Sequence, residues 1–278
     1  FPYSETFSRL TGNRIYFKLE NLQMTGSFKE RGALNRLLTL SPEEAQRGVI
    51  AASAGNHGMA LAFHSHRLNI AATIVMPLFA PLIKVSRVRQ YGAQSILHGN
   101  DYDTALAEAQ RLSQEKGLTF VSAFNDPWIV AGQGTIGLEL YEQNPDLDAV
   151  VVPVGGGGLI AGIALVLKTL NPKIKIIGIG DDGLEGLTAL ARDVIEQALG
   201  IHAIPFRHRR KLADAAVGVW RERVSQRDHR VLVGHEEAAD RNRHAAARIR
   251  LALASGHPPG HLVPVLARRL DDESRFLG

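Results

Sequence analysis

The sequence predicts an α/β protein built from mostly parallel, twisted sheets that are flanked by helices. Short apolar runs rich in β-branched residues alternate with longer segments whose apolar residues recur three or four positions apart. The connections between them are short and contain Gly, Asn or Asp, which is the pattern of βαβ units on a parallel sheet. Hydrophobic residues make up 45% of the 278 residues, and this content is ample for a packed core.

The alternation of strands and helices extends to about residue 180. The predicted strands are Ile15–Glu20, Gly48–Ala52, Ala71–Met76, Gln94–His98, Thr119–Val121, Ala149–Pro153 and Lys173–Ile179. The predicted helices are Lys29–Leu38, Gly58–His66, Pro81–Tyr91, Tyr102–Lys116, Ile129–Glu142 and Leu159–Leu170.

Lys29 is the first candidate for chemistry. It lies in the run Gly26–Ala33, after the predicted strand Ile15–Glu20 and at the start of a predicted helix. A lone lysine at such a position is usually a solvated surface residue. An amine held between a strand and a helix can, however, act as a nucleophile and proton carrier when burial or neighbouring cations lower its pKa.

Two glycine-containing loops repeat the order strand, loop, helix. The segment Ser53–Gly58 follows the strand Gly48–Ala52, and the segment Gly155–Gly158 follows Ala149–Val154. Backbone N–H groups at a helix start bind anions, and glycine lets them approach an anion without a Cβ in the way. Considered alone, Ser53 is an ordinary N-cap residue. The sequence therefore offers one amine and two anion-binding loops.

Two nucleotide-binding patterns are not supported. No Gly-Lys-Ser or Gly-Lys-Thr follows Gly158, which excludes a nucleotide P-loop. The residues Gly178–Gly183 read GxGxxG after a predicted strand. A second strand that ends in Asp or Glu does not follow about 20 residues later, so a dinucleotide site is not favoured.

The amine and the two loops together resemble the fold-type II pyridoxal-phosphate enzymes, and among them the threonine dehydratase and serine racemase branch. The matching segments are Phe17–Lys29, Ser53–His57, Ala131–Thr135 and Pro153–Gly158. Their order and mutual spacing also match, over roughly residues 1 to 180. The resemblance implies pyridoxal 5'-phosphate as the cofactor.

The resemblance also implies a role for each segment. Lys29 would hold the cofactor as a Schiff base and carry the Cα proton of the substrate. Phe28 would pack against the pyridine ring, and Asn56 would hydrogen-bond the phenolic oxygen. The cofactor phosphate would bind the loop of Gly155, Gly156, Gly157 and Gly158. The substrate carboxylate would bind the loop of Ser53, Ala54, Gly55, Asn56 and His57, in which His57 is expected to be mainly structural.

Relatives of this kind fold as two α/β domains, as in the β subunit of tryptophan synthase, with the cofactor between them. The resemblance implies a small substrate-loop domain at residues 47–126. The large cofactor-binding domain would then be discontinuous, with residues 1–46 and 127–278. A crevice between two such sheets is where α/β folds bind ligands.

The activity implied by the resemblance is deamination of L-threonine, L-serine or both to a 2-oxo acid and ammonia, by α,β-elimination of water. Racemases of this branch have a serine as a second acid/base where this sequence has Ala54, and a methyl group cannot carry that proton. Elimination is therefore favoured over racemisation. The alternatives are a racemase or another β-elimination or β-replacement enzyme, and a catalytically impaired protein that binds the cofactor.

The sequence after residue 180 departs from the family pattern. Seven of the eleven histidines and most arginines follow residue 200, and the likeness is reduced to fragments such as Leu212–Asp214 and Val231–Val233. Ala254–Gly260 stands where a Glu-containing segment is expected, and Gly180 replaces a Glu that binds a cation in some relatives. The Ser-Gly-Gly-Asn type segment near the pyridine nitrogen is not found before Gly278. Divergence, a frameshift and gene degeneration each account for this pattern.

Composition limits the partners. Without cysteine the chain has no disulfide and no thiolate metal site. His64 and His66 are two residues apart on different helix faces, so they are interpreted as exposed side chains and no metal site is expected. The basic run Arg207–Lys211 and the net charge of +4 are more consistent with a solvated face than with nucleic-acid binding. No apolar run reaches the roughly 18 residues of a membrane-spanning helix.

We therefore expect a cytoplasmic enzyme that acts on a small amino acid, binds neither nucleic acid nor membrane, and forms a homodimer or tetramer as its relatives often do. The segment Phe1–Ser4 does not resemble a signal peptide. Because no initiator Met is present, the chain is expected to begin inside its gene product. A regulatory domain for effectors is not expected, since the catalytic core fills this length.

Overall fold

Internal contacts divide the chain into two units in the computed structural model, which describes residues 2–180, Ala191 and residues 230–234. Unit 1 consists of Phe1–Glu20 and Gly134–Gly278, and unit 2 consists of Asn21–Gln133. Residues 21–46 therefore group with the sheet of residues 47–126. The domain boundaries expected from the sequence stay a prediction.

Strands and helices alternate along the described chain, as the sequence pattern predicts. The strands are β1 (Arg14–Lys18), β2 (Val49–Ala52), β3 (Ala72–Met76), β4 (Gln94–Leu97), β5 (Thr119–Phe120), β6 (Ala149–Pro153), β7 (Lys175–Ile179) and β8 (Arg230–Gly234). The helices are α1 (Glu5–Thr11), α2 (Lys29–Leu37), α3 (Pro42–Arg47), α4 (Asn56–Arg67), α5 (Leu82–Gln90), α6 (Tyr102–Lys116), α7 (Pro127–Gln143) and α8 (Gly158–Leu170). Every element predicted from the sequence is present, with bounds that differ by at most two residues at either end.

Helices α1 and α3 are absent from the predicted set because they have only 7 and 6 residues. One or two turns offer too few positions for a helical period to be recognised. The signal that identifies α3 is its start. The Ser41 side chain accepts from the Glu44 N–H, the Glu44 carboxylate accepts from the Ser41 N–H, and Pro42 occupies the first helical position.

Unit 2 contains a parallel sheet with the strand order β4, β3, β2, β5. Alternate residues of β2 point to opposite faces, as the two-residue period of a strand requires. Val49 and Ala51 pack in a cluster with residues of α4 and α5, whereas Ile50 and Ala52 pack against Ala105, Ala109 and Leu112 of α6. Because both faces of β2 are packed against helices, the strand is held in place, and it fixes the position of the loop that begins at Ser53.

Unit 1 contains a second parallel sheet, with the order β1, β8, β6, β7. Strand β8 pairs with both β1 and β6, and it contains the family-like fragment Val231–Val233. An internal strand therefore comes from the part of the chain that departs most from the family pattern. The other fragments noted there, including Arg207–Lys211, Leu212–Asp214 and Ala254–Gly260, lie outside the described residues.

A buried ion pair lies in unit 1 at the end of β1. The Lys18 ammonium contacts the Glu139 carboxylate of α7, and both side chains are almost inaccessible to water.

Within the described part of the chain, no helix combines the length and the apolar character needed to cross a membrane.

Helix α2 and the part of helix α7 that belongs to unit 2 approach each other at backbone contact through glycines. A Cβ on Gly132 would lie 2.6 Å from the Arg31 carbonyl oxygen and 2.6 Å from the Gly32 Cα. The close approach lets Asn35 of α2 donate a side-chain hydrogen bond to the Trp128 carbonyl of α7. It therefore fixes the helix that begins at Lys29.

We expect Gly132→Ala to destabilise unit 2 by about 1–3 kcal/mol, because the added methyl group overlaps backbone atoms that have no room to move. Thermal unfolding followed by circular dichroism measures the change. The exposed Glu142→Ala substitution in the same helix is the control, with an expected effect of at most about 0.5 kcal/mol. Equal melting temperatures for the two variants would contradict the close packing.

Candidate active site

Lys29 is the first residue of α2, and its amine is held inside unit 2. The Nζ atom donates a hydrogen bond to the Ala123 carbonyl oxygen at 2.7 Å. It also lies 5.2 Å from the ring centre of Phe28 and 5.8 Å from that of Phe124. The amine is therefore partly buried, with two aromatic rings and one backbone acceptor beside it.

Burial lowers the pKa of Lys29 from the ordinary 10.5 to about 8, because the charged form loses its hydration. The Ala123 carbonyl accepts a hydrogen bond from either the ammonium or the neutral amine, so it holds Nζ in place without preventing deprotonation. A lysine with this pKa presents a substantial fraction of nucleophilic neutral amine near pH 8. The structure therefore supports the reactive role that the sequence assigns to Lys29.

The loop of residues 121–126, which follows β5, is a part of the site that sequence reasoning missed. Ser122 Oγ accepts from the Asn125 N–H at 2.9 Å. Asp126 Oδ1 accepts from the Trp128 N–H at 2.7 Å, and Asp126 Oδ2 lies 3.1 Å from Arg36 Nε. The Val121 N–H also donates to the Ile50 carbonyl oxygen at 2.9 Å, so both ends of the 121–126 loop are held, and with them the carbonyl that accepts from Lys29.

His57, the second residue of α4, is buried beside Lys29 and is bonded to the same loop. Its Nε2 lies 3.0 Å from the Val121 carbonyl oxygen. Because a carbonyl only accepts, Nε2 carries the proton and Nδ1 has a free lone pair. Burial is the main cause that lowers the pKa of His57 from 6.5 to about 4; the nearby Lys29 charge adds to it and the bond to Val121 opposes it.

The loop after β2 is organised by the Ser53 side chain. Ser53 Oγ accepts from the Gly55 N–H at 3.2 Å and from the Gly58 N–H at 3.0 Å. The four N–H groups at a helix start have no intrahelical acceptor, and Ser53 binds that of Gly58. The N–H groups of Asn56 and His57 therefore remain directed out of the helix end, where an anion binds favourably.

The glycine loop of unit 1 connects β6 to α8. Gly157 is the N-cap of α8 and has φ +87°, a left-handed conformation that other residues rarely adopt. A Cβ on Gly155 would meet no atom within 4 Å, so space is open beside the loop. Such a loop at the start of a 13-residue helix presents N–H groups to an anion. Its geometry fits a phosphate group.

The residues present thus fit pyridoxal phosphate. A buried amine of lowered pKa suits covalent attachment of an aldehyde, and an open glycine loop suits the phosphate. Unit 2 brings together Phe28, Lys29 and His57, with Ser53, Ala54, Gly55 and Asn56 in the adjacent loop. Gly155, Gly156, Gly157 and Gly158 belong to unit 1. Among the described residues, no group of three or more His, Asp or Glu side chains could hold a metal ion.

The sequence interpretation of His64 as an exposed side chain is wrong. His64 is only 1% exposed, and its Nε2 lies 3.5 Å from a carboxylate oxygen of the buried Glu30. The separation of His64 and His66 on different faces of α4 does hold, because His66 is exposed. A polar partner on another helix explains why His64 is buried in spite of its polarity.

We expect reductive methylation of Lys29 by formaldehyde and cyanoborohydride to increase with pH through a midpoint near 8. The reason is that only the neutral amine attacks the aldehyde and burial lowers the pKa to about 8. Peptide mass spectrometry at pH values from 6.5 to 10 measures the rate. Nα-acetyl-lysine, with a pKa of about 10.4, is the reference amine. A midpoint that matches the reference would contradict the burial of Lys29.

We expect the protein to lose more stability than its His57→Asn variant as the pH falls from 6.5 towards 4. The folded-state pKa of about 4 lies below the ordinary 6.5, so the unfolded chain binds a proton in this range and the folded protein does not. Above pH 6.5 both states are neutral and His57 adds no pH dependence. Urea unfolding at pH 7, 5.5 and 4.5 tests this, and parallel curves for the two proteins would refute it.

Comparison with known proteins agrees with this geometry. The family model described as "Pyridoxal-phosphate dependent enzyme" matches residues 2–263. An L-threonine ammonia-lyase of Thermotoga maritima is 52% identical over 190 residues, which is 68% of this chain and 47% of that protein. The catabolic L-threonine dehydratase TdcB of Escherichia coli K12 is 43% identical over 188 residues, 68% of this chain and 57% of that protein. The chain thus spans about half the length of the curated relatives it matches.

Solved structures give the same result for the fold. The processed form of threonine deaminase isoform 2 from Solanum lycopersicum has a TM-score of 0.65 and 35% identity, covering 96% of this chain and 72% of that one. Maize serine racemase has a TM-score of 0.64 and 29% identity, covering 96% and 79%. The expected fold class and cofactor are confirmed, and this chain belongs to the family of pyridoxal-phosphate dependent enzymes.

Proposed function

We propose that this protein deaminates L-threonine, L-serine or both to a 2-oxo acid and ammonia. The observation that carries the proposal is the buried Lys29 amine, which has a pKa of about 8 and is hydrogen-bonded to the Ala123 carbonyl. The similarity to the Thermotoga maritima L-threonine ammonia-lyase and the Escherichia coli dehydratase supports this reaction over others of the family.

Four parts of the chain would hold the cofactor. Lys29 would bind its aldehyde carbon covalently, and the loop from Gly155 to Gly158 would bind its phosphate. Phe28 would pack against the pyridine ring, since its side chain is partly buried beside the Lys29 amine. Asn56 would hydrogen-bond the phenolic oxygen, which suits an exposed amide at the start of α4.

Lys29 would act as the base during turnover. When bound, pyridoxal phosphate supplies an electron sink that accepts the electron pair of the broken Cα–H bond. The neutral Lys29 amine takes the Cα proton and becomes an ammonium, which the Ala123 carbonyl and the flanking aromatic rings stabilise. The Cβ–O bond would then break, and the hydroxide would leave as water with the proton that the Lys29 ammonium gives back, which leaves Lys29 neutral again. Hydrolysis of the released unsaturated amino acid gives the 2-oxo acid and ammonia.

The substrate carboxylate would bind at the start of α4. The N–H groups of Asn56 and His57 face outward, and the Ser53 hydroxyl keeps one proton to donate. His57 is neutral at pH 7 because its pKa is about 4, so the attraction for the anion comes from the N–H groups and the helix dipole. This arrangement orients the substrate by its carboxylate, whichever side chain it has.

Ala54 favours elimination over racemisation. The residue lies between Ser53 and Gly55 in the loop, and its methyl group can neither give nor take a proton. Racemisation needs a second acid on the face of Cα opposite the base. We therefore place racemase and β-replacement activities second, and a cofactor-binding protein without turnover third.

The remaining proposals concern the setting of the enzyme. The substrate is a small molecule, and we propose a cytoplasmic location and a homodimer or tetramer. The division of the chain into domains at residues 47 and 126 also stays a proposal. None of these affects the chemistry assigned to Lys29.

The decisive test adds pyridoxal phosphate to the purified chain and records the visible absorbance, then adds L-threonine or L-serine and assays 2-oxo acid. We expect the absorption band of a Schiff base and the formation of 2-oxo acid. In Lys29→Ala the band should be lost, and the rate of 2-oxo acid formation should fall at least about 10³-fold because the base is removed. The exposed Lys116→Ala substitution is the control and should retain both. Chiral analysis of serine in the same reaction should show no D-isomer.

Each other outcome selects an alternative. A band without oxo acid would indicate a cofactor-binding protein without dehydratase activity, and formation of D-serine would indicate a racemase. A band that persists in Lys29→Ala would contradict the assignment of the attachment site.

A further inference from the structure

Unit 2 contains a buried acid and histidine that the proposed reaction does not use. Glu30, the residue after Lys29, is 3% exposed, and His64 of α4 is 1% exposed. Glu30 Oε2 lies 3.5 Å from His64 Nε2. Glu30 Oε1 accepts a hydrogen bond from the Thr25 N–H. The carboxylate therefore contacts both the segment before Lys29 and a second helix.

Burying these groups is unfavourable unless they compensate each other. Glu30 Oε2 and both ring nitrogens of His64 have no hydrogen-bond partner, and Oε2 and Nε2 are within ion-pair distance of each other. A proton on Nε2 compensates the carboxylate electrostatically across this 3.5 Å contact. Replacing both groups by apolar side chains of similar volume would pack α2 against α4 at lower cost. Removing only one member of the pair leaves the other uncompensated. The pair is thus a costly way to hold two helices together.

The location of the pair connects it to the site on both sides. Thr25, Gly26, Ser27 and Phe28 form the turn that leads into Lys29, and the carboxylate of Glu30 holds the first of them. His64 is eight residues along α4 from Asn56, or about 12 Å along a rigid helix. Glu30 therefore ties the turn that presents Lys29 to the helix whose first turn carries Asn56 and His57.

We propose that Glu30 and His64 are positioning residues, which set Lys29 and the start of α4 at the mutual distance and orientation that the cofactor needs. Neither side chain touches the cofactor in this proposal. The effect passes from Glu30 through Thr25 to the turn before Lys29, and from His64 along α4 to Asn56. The proposal rests on attachment of the cofactor at Lys29, and it does not depend on which reaction follows.

The test measures cofactor binding apart from turnover in four variants: Glu30→Ala, Glu30→Gln, His64→Ala and the double variant Glu30→Ala with His64→Ala. Pyridoxal phosphate is titrated into each, with absorbance giving Kd and circular dichroism of the visible band reporting the orientation of the cofactor. Thermal unfolding without cofactor gives the stability of each protein. Exposed Glu43→Ala and His66→Ala are the matched controls for the carboxylate and the imidazole.

We expect Glu30→Ala and His64→Ala each to raise the Kd for pyridoxal phosphate about tenfold and to change the circular dichroism of the visible band. The double variant should bind pyridoxal phosphate no more weakly than the weaker-binding single variant, because two residues that act through one interaction share their effect. Glu30→Gln should restore Kd to within about threefold. The amide oxygen still accepts from Thr25, and the amide NH2 can donate to His64 Nε2 once the ring proton is on Nδ1. Both controls should match the unsubstituted protein.

Three outcomes would overturn the proposal. The first is unchanged Kd and band shape in the folded single variants, with only the melting temperature lowered, which assigns the pair to stability. The second is additive losses in the double variant, and the third is failure of the double variant to fold. A missing band in the unsubstituted protein would instead contradict cofactor attachment, so the two failures are distinguishable.

Discussion

The burial of one amine is the constraint that the rest of unit 2 serves. Desolvation lowers the pKa of Lys29 to about 8, and that requires a site with limited access for water. The limited access depends on aromatic rings beside Nζ, on the 121–126 loop above it and on a sheet whose two faces are both covered. The packing of unit 2 therefore supports the reactivity as well as the stability.

Lys29, Ser53 and Gly155 stand out as candidates in the sequence because their signals are local. Each follows an apolar strand and precedes a helical period, and lysine, serine and glycine are chemically distinctive there. The 121–126 loop could not be predicted in the same way. It contributes the carbonyls of Val121 and Ala123, which any residue type supplies, so side-chain identities carry no signal. Only the adjacency of β5 and β2 indicates that their carboxyl ends share an edge.

The burial of His64 could not be predicted from the sequence either. Its spacing from His66 correctly separates the two side chains, but exposure depends on what faces each one. The partner of His64 is Glu30, on a helix far away in sequence, and no local pattern indicates that pairing. The lengths of α1 and α3 set a similar limit, since a period cannot be read from one turn and only the capping residues reveal the helix.

The place of β8 has a consequence for the order in which the protein acquires structure during synthesis. Unit 2 is one continuous stretch, residues 21–133, and the pairings of its described strands all lie within that stretch, including the pairing of β2 with β5. In unit 1, β1 joins β6 through β8, which is made after residue 229. Strand β1 thus enters its sheet through a strand that begins only at Arg230, and contacts of such long sequence separation form slowly. The part that carries Lys29 can fold on the ribosome well before the part that carries the glycine loop.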